Sequence, residues 1–147
     1  MARARRRARV ATSLTDLLVL DAEGVSKAAA NDPRVQAWLE RARELDADLI
    51  VSAVTVAEVV RGVARDAGRN RVLNAADIWP ADESLSRRAG RLLGTAHSDA
   101  TIDALVAATA VTARERYGAT RCVVLTSDPN DLNALLADEP RVRIVPV

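Results

Sequence analysis

Three short stretches, Leu17-Leu18-Val19-Leu20, Leu49-Ile50-Val51 and Cys122-Val123-Val124-Leu125, are apolar at every position. Each has the length of a strand rather than of a buried helix. Side chains of a strand alternate between its two faces, so a strand that is apolar throughout has to be covered on both sides. Parallel sheets with helices above and below provide that cover, and antiparallel sheets with one wet face do not. No other feature of the sequence restricts the fold as strongly.

Helical periods fill the intervals between these stretches. Ala22 to Ala30 reads as a short helix closed by Asn31-Asp32-Pro33. From Arg34 to Leu45, Val35, Trp38, Leu39, Ala42 and Leu45 recur on one face, with Arg41, Arg43 and Glu44 on the other. A helix from about Val54 to Ala64 follows the second strand, which ends at Ser52, and another covers Arg69 to Ala76. Asp77-Ile78-Trp79-Pro80 reads as a brief edge strand, because proline has no N–H for a central ladder. Asp82 caps a helix bearing Leu85, Ala89, Leu92 and Leu93, with Gly94 as its end. Asp99 to Tyr117 is the longest helical pattern, closed by Gly118. Asp128-Pro129 opens a helix to about Ala137, and Val142 to Val145 forms a last strand. Strands alternating with helices in this way predict an α/β fold, a three-layer α/β/α arrangement on a mainly parallel sheet with right-handed crossovers. Residues 16–147 are expected to form a single domain behind a basic arm, residues 1–15.

Several function classes drop out on composition. No apolar run approaches the ~20 residues of a membrane-spanning helix. The residues after the arm are too short and polar for the core of an export signal, so the expected compartment is the cytoplasm. The single cysteine, Cys122, excludes an intramolecular disulfide and a cysteine-based zinc site. The single histidine, His97, excludes a two-histidine acid/base mechanism. The formal charge of +1 hides an uneven distribution: without Arg3, Arg5, Arg6, Arg7 and Arg9, 16 basic residues face 20 acidic ones. Those five arginines are the candidates for sequence-independent attraction to RNA phosphates, against the plainer reading of a solvated tail.

In a parallel sheet, ligands collect outside the carboxyl ends of the strands. Asp21 directly follows the first strand, and Thr126, Ser127 and Asp128 end the strand begun at Cys122. Ser52 ends the second strand six residues before Glu58. Glu58, set among valines, is expected to be at least half buried, which calls for compensation by a cation or by Arg61 or Arg65 on the same helix. Exposure at the helix edge is the other reading. Asp103 shares a helical stripe with Asp99, four residues earlier, where the helix dipole also favours acids. Asp128 before Pro129 reads equally as a helix cap, with Asp131 completing the first turn, and Asp21 too has the position of a cap. The joint pattern carries more than any member. Asp21, Glu58, Asp103 and Asp128 map to one rim with no basic cluster interleaved, which is costly unless a divalent cation sits among them. All-oxygen donors select Mg²⁺ or Mn²⁺ over zinc, and such ions suit hydrolysis of phosphodiesters or phosphoanhydrides.

Four blocks, in order, carry a resemblance: Leu18-Val19-Leu20-Asp21-Ala22, then Ser52-Ala53-Val54-Thr55-Val56-Ala57-Glu58-Val59-Val60-Arg61-Gly62, then Asp103-Ala104-Leu105-Val106-Ala107-Ala108-Thr109-Ala110, then Val124-Leu125-Thr126-Ser127-Asp128-Pro129-Asn130-Asp131-Leu132. Together they resemble the PIN-domain ribonucleases, and among them the VapC-type toxins of bacterial toxin–antitoxin pairs, over residues 17–147. The resemblance implies a metal-dependent endoribonuclease. In it, Asp21, Glu58, Asp103 and Asp128 bind Mg²⁺ or Mn²⁺, Asp131 and Asp99 lie nearby, and Thr126 or Ser127 helps to orient ligands. It also implies a homodimer and a cognate antitoxin whose C-terminal segment covers the site. Two features depart from the pattern: 20 residues precede the first aspartate, and Asp21 is followed by Ala22-Glu23-Gly24 where a small polar residue is common.

Other acidic α/β sites fit less well. A receiver domain wants a lysine after a late strand, and the one lysine is Lys27. Haloacid-dehalogenase-like phosphatases need Asp-x-Asp where this chain has Asp21-Ala22-Glu23. No glycine-rich phosphate loop is present. The stretch from Asp128 to Glu139 imitates a calcium loop only at its ends, with Asn133 where glycine is required. The remaining rival is a catalytically inactive RNA-binding or regulatory module of the same fold. The few aromatic residues, Trp38, Trp79 and Tyr117, read as core rather than as a base-stacking platform.

Overall fold

A computed structural model describes residues 16–147. The expectations for the arm, including Arg3, Arg5, Arg6, Arg7 and Arg9, lie outside the described residues. The five strands are β1 (Leu17–Leu20), β2 (Asp48–Ser52), β3 (Asp77–Trp79), β4 (Cys122–Thr126) and β5 (Val142–Pro146). The helices, numbered along the chain, are α1 (Ala22–Ala29), α2 (Pro33–Glu44), α3 (Ala53–Val59), α4 (Ala67–Ala75), α5 (Glu83–Ala96), α6 (Thr101–Tyr117) and α7 (Pro129–Leu135). The sheet runs β3-β2-β1-β4-β5, with every pair parallel. The expected three-layer architecture is the observed one.

Alternation along the strands divides the core in two. Leu17, Val19, Ile50, Cys122 and Val124 face α5, α6 and α7, whose Leu85, Ala89, Ala107, Val111 and Leu132 close that side. Leu18, Leu20, Val51 and Leu125 face the opposite side, covered by Val25 and Ala28 of α1, Val35 of α2 and Leu73 of α4. The requirement for cover on both faces, read from the sequence, is met residue by residue. Trp38 and Trp79 are half-buried and pack against the margins of these clusters. Trp79 meets Tyr117 edge-to-face at 5.8 Å.

Several boundaries differ from those expected. Helix α3 stops at Val59 rather than Ala64. Val60 is extended, Gly62 takes a positive φ of 75°, and a 3₁₀ turn covers Ala64–Asp66. Asp66 causes the break, since its carboxylate accepts from the N–H groups of Arg61 (2.8 Å) and Val63 (3.1 Å), donors that a longer helix would have used. Helix α5 continues through Gly94 to Ala96 and is closed by His97 in the left-handed region, at φ 50°. Leu45, expected on the apolar stripe of α2, is its C-cap and is 42% exposed. Helix α7 ends at Leu135, two residues before the expected Ala137.

This order fixes where a site can form. The chain leaves β1 toward β2 and β3, then returns to the other side of β1 to lay down β4 and β5. The direction of winding therefore reverses between β1 and β4, and a crevice opens at their carboxyl ends. The Asp21 N–H donates to the Leu125 carbonyl at 3.3 Å, closing the floor of that crevice.

Candidate active site

Asp21 and Asp128 flank the switch point, one after β1 and one after β4. Both are helix N-caps, as their sequence positions allowed. Asp21 Oδ1 accepts from the Gly24 N–H at 2.8 Å, and Asp128 Oδ1 accepts from the Asn130 N–H at 3.4 Å. Each cap leaves the second carboxylate oxygen for other work. Gly24 has a packing reason: a Cβ there would stand 3.2 Å from both the Leu125 carbonyl oxygen and Leu20 Cβ, so glycine lets α1 start hard against the strand ends. That close approach accounts for the glycine of the Ala22-Glu23-Gly24 run after Asp21.

Asp103 lies in the first turn of α6, a helix otherwise buried along Ala104 and Val106 to Val111. Its pKa is raised, first by burial, then by the charges of Asp131, Asp21 and Asp128 in that order. Glu58 is raised by partial desolvation and then by Asp21 and Asp103. Asp21 is raised by burial, with Glu23 adding to it and the Thr126 hydroxyl and Gly24 N–H opposing it. Five acids, Asp21, Glu58, Asp103, Asp128 and Asp131, thus share one field. Among the described residues no ion pair engages any of them.

Several individual expectations need correction. Glu58 is exposed as a residue rather than half buried, because α3 ends one residue later. It sits in the C-terminal turn, where the helix dipole opposes an anion rather than supporting it. Neither Arg61 nor Arg65 pairs with it; the Arg61 guanidinium donates to the Ala57 and Val60 carbonyls, both at 3.0 Å. Asp99 lies outside α6 and so shares no helical stripe with Asp103. It is exposed and precedes the helix by two residues, its carbonyl accepting from the Thr101 N–H, and it is not among the charges that raise Asp103. Asp131, expected as a first-turn acid and, from the resemblance, as a neighbour of the site, is the leading charge acting on Asp103.

The hydroxyls divide in the same way. Ser52 is buried and caps α3 through the Val54 N–H at 3.4 Å. Thr126 accepts from the Asp128 N–H at 3.1 Å and donates to the Asp128 carbonyl at 3.2 Å, setting the turn that presents Asp128. Ser127 is exposed beside it. Thr55 was given no role from sequence. It lies three residues before Glu58 on the same helical face, and its buried hydroxyl has no hydrogen-bond partner. A threonine in an otherwise apolar segment was the only signal available for it.

The donor set is all oxygen. Cys122 lies inside the sheet with its thiol pushed up to about 12 by burial, so it offers no thiolate. Among the described residues no three acidic, histidine or cysteine side chains converge tightly enough to form a ready-made metal cage. A small hard cation does not require one: Mg²⁺ keeps several waters and takes one or two carboxylates directly. Mutually repelling, unneutralised carboxylates fit an ion of that kind and do not fit zinc.

A parallel α/β sheet whose switch point carries acids and no protein counter-charge defines a class, the α/β domains with an all-carboxylate site. Within it, the family model of the PIN domain matches residues 18–139, and the chain belongs to that family. Eight chains of solved structures match it as well. One comes from the crystal structure of VapBC2 from Rickettsia felis bound to a DNA fragment from their promoter, at 13% identity and a TM-score of 0.60, covering 89% of this chain and 98% of that one. At that identity the likeness shows a shared fold. No curated protein matches the chain. No described helix is long and apolar enough to cross a membrane.

Proposed function

We propose that the protein is a divalent-cation-dependent endoribonuclease and the toxin of a toxin–antitoxin pair acting in the cytoplasm. The observation that carries the reading is the acidic field at the switch point, in which burial and mutual repulsion raise Asp21, Glu58 and Asp103 and no guanidinium offsets them. Membership of the PIN family and the fold shared with a VapBC2 chain support it.

Asp21, Glu58, Asp103 and Asp128 would hold Mg²⁺ or Mn²⁺, with Asp131 beside Asp103. When bound, the cation supplies Lewis-acid activation of water and neutralises charge at the phosphoryl oxygens. The chain's own residues do the rest. Thr126 and Gly24 fix the turns that present Asp128 and Asp21. One of the four carboxylates would accept the proton of the attacking water. In-line attack at phosphorus then leaves a 5′-phosphate and a 3′-hydroxyl. The partners of the reading are an RNA substrate, a second copy of the chain in a homodimer, and an antitoxin segment that covers the rim. Arg3, Arg5, Arg6, Arg7 and Arg9 would add phosphate attraction from the arm.

Cleavage of a labelled RNA, with and without EDTA, tests the proposal. Cleavage that is lost with chelator and restored by Mg²⁺ or Mn²⁺ supports it. RNA binding unaffected by chelator and without cleavage assigns the chain instead to the inactive binding module.

A further inference from the structure

The amino ends of β1, β4 and β5, the end of the sheet opposite the acidic rim, enclose with α2 a cavity of about 440 Å³. Strand register puts Leu18, Val123 and Arg143 in one row across these strands, on the face that α1 and α2 cover. Trp38 and Ala42, one helical turn apart, line the cavity from α2. The helix is held over β5 by the Arg34 guanidinium, which donates to the Pro146 carbonyl at 3.4 Å. Only Val35 of α2 is fully buried; Trp38, Leu39 and Ala42 behind it are half-buried and pack at the edge of the core cluster.

The charges around this apolar floor are one-sided. Among the described residues, four arginines line it, Arg41, Arg121, Arg141 and Arg143, against one acid, Asp16. Asp16 holds Arg121 at 2.8 Å, and Glu44 holds Arg41 at 3.0 Å. Arg141 and Arg143, two positions apart at the entry to β5, have no ion pair among the described residues.

We propose that this cavity is a ligand site separate from the acidic rim, taking a small organic phosphate with a flat apolar body. Its volume falls in the range of about 300–1,000 Å³ typical of small-molecule sites with an apolar lining and few convergent polar groups. The body packs on Trp38 and the row of Leu18 and Val123. The two unneutralised guanidiniums match the double charge and the planar, two-point recognition of a phosphate monoester.

Isothermal titration of the full chain with 1-naphthyl phosphate tests it, with 1-naphthol and inorganic phosphate as the neutral and the bodiless comparison. One saturable site per chain is expected, with each comparison compound weaker by about tenfold or more. The double substitution Arg141→Ala/Arg143→Ala, both exposed side chains, is expected to weaken 1-naphthyl phosphate by about tenfold without lowering the thermal midpoint. Trp38→Leu should weaken 1-naphthyl phosphate while leaving inorganic phosphate unchanged. Equal binding of 1-naphthol, a double variant within about twofold of the parent, or no saturable binding by the full chain overturns the assignment.

Discussion

Glu58 and Asp66 are eight residues apart on one short stretch of chain, and the protein treats their carboxylates in opposite ways. Asp66 is 1% exposed and fully answered: it accepts from the N–H groups of Arg61 and Val63 and faces Arg69 at 3.5 Å. Its pKa is lowered, chiefly by those backbone donors. Glu58 is more exposed and unanswered, and its pKa is raised together with those of Asp21 and Asp103. A carboxylate that the chain has satisfied internally holds structure together. A group of carboxylates left unneutralised at a crevice is what the proposed cation would bind.

Substitutions are expected to separate these two kinds of acid. Asp103→Asn removes the hub of the rim and should lower RNA cleavage by about 10²-fold or more, with the thermal midpoint unchanged or raised because a repulsion is relieved. Asp66→Ala should do the reverse in stability. It strands the N–H groups of Arg61 and Val63, so the midpoint falls by more than for any rim substitution, and cleavage falls only as far as the displaced loop disturbs Glu58. A rim variant that unfolds, or an Asp66→Ala protein as stable as the parent, breaks the distinction.

The pH dependence should also have opposite signs in the two regions. For Asp21, Glu58 and Asp103 the folded pKa lies above the unfolded value, so the folded state holds more protons between the two, and their contribution to stability falls as pH rises through that window. For Asp66 and Glu115, whose folded values are lowered, stability is present above the unfolded value and lost as pH falls through the folded one. Thermal midpoints of the parent and of an Asp21→Asn/Glu58→Gln/Asp103→Asn variant should therefore diverge in the variant's favour as pH rises from about 4 to 7. Midpoints that run parallel would show that neither burial nor mutual repulsion raises the rim acids in the folded state. The smallest effect is expected at Arg88, which holds Glu115 through two 2.7 Å contacts between α5 and α6. Arg88→Ala at this partly exposed pair should cost about 1 kcal/mol or less in denaturant unfolding and leave cleavage unchanged.

The sheet was legible in the sequence because its constraint is local. Runs such as Leu17 to Leu20 and Cys122 to Leu125 state their own cover, and the two core faces follow from alternation. The principal acids were legible through their places after strands or on helices at the same edge. What failed depended on distant or conformational partners. Nothing near Glu58 announces that Asp66 will capture the next N–H groups and end α3 at Val59. Gly94 looked like a helix end, but the left-handed residue is His97, because packing of Leu92 and Leu93 against the core keeps that turn helical. Asp99 falls outside the group of acids that act on Asp103 because the start of α6 is set by Ala100, with the Ser98 hydroxyl accepting from its N–H at 3.1 Å, rather than by Asp99.

Titration of the full chain with Mn²⁺ or Mg²⁺ near neutral pH, read by calorimetry and by the thermal midpoint, tests most directly whether the rim is built for an external charge. Saturable binding that raises the midpoint, by about 2.7 kcal/mol of stability at 100 times the dissociation constant, and that disappears in Asp103→Asn, is the expected result. A midpoint indifferent to either cation, or raised equally in Asp103→Asn, would contradict the account.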